Sequence, residues 1–155
     1  MIREQVPPEE WQTLCAAPWA VGLYIATAVG GKVQEVRERL TLGAALHQAL
    51  ARDHEHDLIG AVAADILREA PPGAGWTWQP GDRPAMLSAV AAAGAIASRL
   101  PAGLAFRRWL MDLAREVAAA EVDGGWLGIG AEKVHQMEHA ALIDLANALG
   151  LLSRE

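Results

Sequence analysis

No segment of this chain alternates apolar and polar residues as a half-buried strand would. Where apolar residues are interspersed with polar ones, they recur three or four positions apart. That spacing admits helices and little else. The clearest case is Ala102 to Glu121. Phe106, Leu110, Leu113, Val117 and Ala120 form one stripe, and Arg107, Arg108, Asp112, Arg115 and Glu116 mostly face away from it. Leu42, Leu46, Ala49 and Leu50 repeat the pattern between Lys32 and Arg52. Ile59, Val62, Ala63, Ile66 and Leu67 repeat it in a helix ending near Ala70. Met137, Ala141, Leu145, Ala148 and Leu149 do so in a helix from Val134 to Leu149, with Gly150 as its stop.

Two segments lack a polar face. Pro18 to Val29 carries Trp19, Val21, Leu23, Tyr24 and Ile25, and reads as a central, buried helix closed by Gly30-Gly31. Ala85 to Leu100 is an alanine-rich helix followed by Pro101. Ahead of them, Pro7-Pro8-Glu9-Glu10-Trp11 is a helix start, with proline in the first turn and acids at the positive end of the dipole. That short helix is expected to stop before Pro18, because proline lacks the amide a helix interior uses. The expectation is an all-α fold: one compact domain over 1–155 with six or seven helices. It has a first half at about 9–70, a Pro/Gly/Trp linker at 71–84 and a second half at about 85–152. Ile25 to Gly31 and Ala119 to Gly125 each close an apolar helix on glycines before an amphipathic one. The halves therefore read as a pseudo-repeat of helix-loop-helix units.

With 155 residues, 52% of them apolar, the chain can bury a real core. A formal charge of −6 points away from nucleic acid and from anionic membrane surfaces. A lone cysteine, Cys15, excludes an internal disulfide. The first residues lack the apolar core of a signal peptide, and the longest apolar runs are too short to span a bilayer comfortably, so the expected location is cytoplasmic.

The densest set of unusual residues lies between Ala118 and Ala146. An apolar helix with Val117 and Ala118 runs into Asp123-Gly124. A helix with Glu138 follows, then Leu142, Leu145, Ala146, Leu149 and Gly150. This order resembles the tellurite-resistance TerB-type helical domains, over about a third of the chain. Gly30-Gly31 stands where the first half of that family has Asp-Gly. The segment Gly124-Gly125-Trp126-Leu127-Gly128-Ile129-Gly130 also resembles an insertion in small bacterial helical proteins. The resemblance implies an all-helical stress-response module linked to membranes, with metal binding through acidic residues.

Three clusters could carry chemistry. His135-Gln136-Met137-Glu138-His139 matches the His-x-x-Glu-His pattern, in which histidines four apart on a helix face one metal. A third ligand would come from Glu132, His47, His54 or His56. His54 and His56, among Asp53, Glu55 and Asp57, offer a second divalent-metal set. Asp123, with Glu121 and Glu132 around the glycine loop, offers oxygens suited to calcium or magnesium. An EF-hand register starting at Asp123 fails, since Leu127 and Val134 fall where ligands are required. No Lys-Ser/Thr follows Gly128 and Gly130, so the loop is not a phosphate cradle. The leading expectation is a non-enzymatic interaction module with no cofactor, whose partner is another protein or a second copy. The alternative is a divalent-metal protein using His135 and His139 or the His54/His56 cluster.

Overall fold

A computed structural model describes residues 2–28, 58–68, 80–123 and 131–152. The described residues are almost all helical or in turns, and none forms a strand, as the spacing requires. Among the described residues there are five α-helices: α1 (Pro8–Thr27), α2 (Leu58–Arg68), α3 (Arg83–Ala97), α4 (Gly103–Asp123) and α5 (Ala131–Ala148). Short 3₁₀ turns at Ile2–Gln5 and Pro80–Asp82 precede α1 and α3. Within the described residues, no helix is long and apolar enough to cross a membrane.

The bundle is built around α1. Every residue from Leu14 to Thr27 is buried, and α1 packs against each of the other four helices. A helix apolar all round must be enclosed, because no orientation leaves a polar face to water. The expected stop before Pro18 is corrected: α1 runs unbroken through it, and Pro18 is buried. Proline costs a helix one hydrogen bond and some strain, of order 3 kcal/mol. Enclosure of α1 offsets that cost, since breaking the helix would expose Leu14, Val21, Leu23 and Ile25.

Around α1, most of the expected stripe positions are buried: Val62, Ala63 and Ile66 on α2, with Ile59 and Leu67 half-buried, and Phe106, Leu110, Leu113 and Val117 on α4. Ala141, Leu145 and Leu149 supply the α5 side. Alanines let the helices approach closely. At Gly94 an added Cβ would lie 3.4 Å from the Leu149 Cα, so α3 and α5 nearly touch there.

Helix ends supply further differences from expectation. α3 begins at Arg83, two residues inside the expected linker, and ends at Ala97 rather than Leu100. The link to α4 is tight. Leu100 N–H donates to Ala97 O at 2.9 Å, and Gly103 N–H to Leu100 O at 3.1 Å. Ala102 takes the left-handed conformation there, with φ 62°. A Cβ on Gly103 would stand 1.7 Å from the Ala97 carbonyl oxygen, so only glycine fits that position. Gly150 stops α5 as expected, with φ 69°. Its N–H donates to Asn147 O and that of Leu151 to Ala146 O, the paired bonds of a Schellman cap. Arg107 on α4 then covers the Leu149 carbonyl at 3.0 Å.

Candidate functional site

The sequence-derived metal candidates are only partly within view. His47, His54 and His56, with Asp53, Glu55 and Asp57, lie outside the described residues. Asp123 closes α4 and His135 lies early in α5, and the side chains of both fall outside the description. Glu132, in the first turn of α5, and Glu121, near the end of α4, are in the same position. Within the described part of α5, Glu138 and His139 part company. Glu138 is 3% exposed and points into the bundle, whereas His139 is exposed. The 3.6-residue period puts neighbours about 100° apart, so one faces the core and the next faces water. Among the described residues, no three of His, Cys, Asp and Glu converge as a metal set.

Instead, the fold assembles two polar clusters from residues far apart in sequence. The first surrounds Asp65 of α2. Its carboxylate is buried and accepts the Trp11 indole N–H at 2.7 Å. Arg3 reaches it at 3.1 Å and Arg68, one turn along α2, at 3.2 Å. A buried carboxylate needs such partners, since desolvation otherwise disfavours its charge. This cluster fastens the first turn of the chain and α2 to α1.

The second cluster sits where α1 ends. The last turn tightens, with Ala28 N–H donating to Ile25 O, which leaves the Tyr24 carbonyl without its ordinary helical donor. Arg83, the first residue of α3, donates to it at 3.1 Å and to the Thr27 hydroxyl at 3.3 Å. Its guanidinium carbon lies 4.0 Å from the centre of the Tyr24 ring. A cation here also complements the negative end of the α1 dipole. The Tyr24 hydroxyl donates to the exposed Asp144 of α5 at 2.8 Å. Burial, and then that hydrogen bond, push the Tyr24 hydroxyl above its ordinary pKa of 10.0. The cluster ties α1, α3 and α5 together.

Reading the residues singly did not reveal either cluster. One signal was available. Asp65 is the only acid in the otherwise apolar run from Leu58 to Leu67, and an acid on an apolar face needs a buried partner. Nothing in the sequence pairs Tyr24 with Asp144.

A third feature is a surface. The outward positions of α3 are Ala85, Ser88, Ala91, Ala92 and Ala95, followed by the C-cap Ser98, all exposed, and no charge occurs between Pro84 and Ser98. By contrast, the exposed face of α4 carries Arg108, Asp112, Arg115 and Glu116. The chain matches no family model, no curated protein and no solved structure.

Proposed function

We propose that this chain is a non-enzymatic helical interaction module of the stress-response kind that the TerB-type resemblance implies, in a bacterial cytoplasm. The observation that carries the reading is the uncharged outer face of α3. Small side chains let a second helix approach closely, and neither alanine nor serine loses much rotamer freedom on burial. The partner is a second copy of the chain. Two such faces meet without opposed like charges, whereas the net charge of −6 on each copy sets a weak overall repulsion. A helix of this length is about 22 Å long, so the contact is small and the association weak. The test is sedimentation of the wild-type chain against Ala92→Glu, which plants a charge in the centre of the face. Concentration-dependent dimers lost in the variant support the reading, and a monomer throughout refutes it.

A second reading is a divalent-metal protein using His135 and His139, or the His54/His56 acidic cluster. Its support is that α5 is continuous from Ala131 to Ala148, so residues 135 and 139 stand one turn apart, and that His139 is open to solvent. Elemental analysis of the purified protein, with melting in and out of chelator, tests it. Stoichiometric metal and a chelator-lowered Tm support it; no metal and an unchanged Tm refute it.

The finer architecture belongs to the same proposal. Six or seven helices stand in two related halves that turn on Gly30-Gly31 and Gly124-Gly125, both outside the described residues. Backbone chemical shifts across 32–57 test it. A helix there supports the count, and extended shifts refute it.

A further inference from the structure

We infer that the Trp11–Asp65 pair is a guanidinium seat, which Arg3 occupies as a detachable occupant from the same chain. The chemistry suits an arginine side chain: a carboxylate to accept N–H donors, with an aromatic ring beside it. Both oxygens of Asp65 face Arg3 Nη1, at 3.1 and 3.4 Å. The Arg3 guanidinium carbon lies 6.0 Å from the Trp11 ring centre, the outer limit of a cation–π contact.

The fit is loose on the occupant's side and tight on the seat's side. The Arg3 side chain is 53% exposed, whereas that of Asp65 is 10% exposed. Trp11 is 5% exposed. Departure of Arg3 does not orphan the carboxylate, because the Trp11 indole and Arg68 still hold it. The seat therefore survives the loss of its occupant, which a simple two-partner ion pair would not. Ile2 and Val6 flank Arg3 and rest against the core, with Val6 buried. The ligand class follows from that pattern: an arginine with apolar neighbours, presented by a partner protein and taking the place of the Arg3 side chain. The seat is built by α1 and α2 and shares no residue with the α3 face, so it stands or falls independently of self-association.

The test uses the full-length Arg3→Ala chain and N-acetyl-arginine amide, followed through the Trp11 indole N–H resonance. The expected result is a saturable shift in the variant, at least about 5-fold weaker in the wild type, where Arg3 competes for the seat. N-acetyl-lysine amide, lacking the planar fork, gives no saturable shift. No saturable response in the variant, an equal response in the wild type, or an equal response to lysine would each overturn the inference. Arg3→Gln, which keeps much of the stem, gives the same reading should the alanine variant not fold.

Discussion

Two neighbouring residues at the α3–α4 turn show how local geometry selects a side chain. Ala102 holds φ 62°, a conformation that costs a non-glycine residue about 1 kcal/mol. Ala102→Gly removes that strain while adding freedom to the unfolded chain. The net expectation is a gain of about 0.5 kcal/mol in urea unfolding, and a loss would mean that the strain is absent. Gly103→Ala should cost roughly 2 kcal/mol or more in the same assay, because its Cβ would meet the backbone of Ala97. Tyr24 yields a pH prediction. The chain has a single tyrosine, so tyrosinate absorbance reports this residue alone. Its folded pKa lies above 10.0, so the folded state holds the proton where the unfolded state has released it. That contribution is complete below about pH 10 and declines as pH rises toward the folded value. Tyr24→Phe should flatten the alkaline fall in stability, and an unchanged slope would show that Tyr24 does not contribute to it.

At the scale of the element, α1 decides most of the architecture. Its burial was legible, because a segment from Pro18 to Val29 with no polar face has nowhere to go but the centre. Its length was not, because proline breaks an exposed helix but merely burdens one enclosed on all sides. Pro18→Ala restores an amide donor toward the Leu14 carbonyl and should stabilise the fold by about 1–3 kcal/mol. Chemical denaturation checks this, and destabilisation would show that the buried pyrrolidine ring packs better than a methyl group with a hydrogen bond. The stripes on α2 and α4 were equally legible, since periodicity alone marks the buried face. The α5 motif was legible only as a list of residues. His139 turns out to water and Glu138 into the core, and the spacing alone did not show which face the bundle would take. The Asp65 and Tyr24 clusters were illegible for a different reason. Their partners meet only after helices distant in sequence have packed, as Tyr24 does with Asp144 and Arg3 with Asp65.

At the scale of the whole molecule, the described helices commit their buried polar groups inward, at Asp65 and around Arg83, and leave one side of α3 without charge. The proposed self-association through that side would carry a salt signature. Each copy has a net charge of −6, so screening should strengthen the dimer, whereas contact through ion pairs would weaken with salt. The most direct measurement is sedimentation velocity from about 10 µM to about 0.5 mM, a range that brackets a weak interface. The prediction is a monomer–dimer equilibrium that shifts toward dimer with added salt and disappears in Ala92→Glu. A chain that stays monomeric across the range, or whose dimer is indifferent to Ala92→Glu, would contradict the assignment of the α3 face.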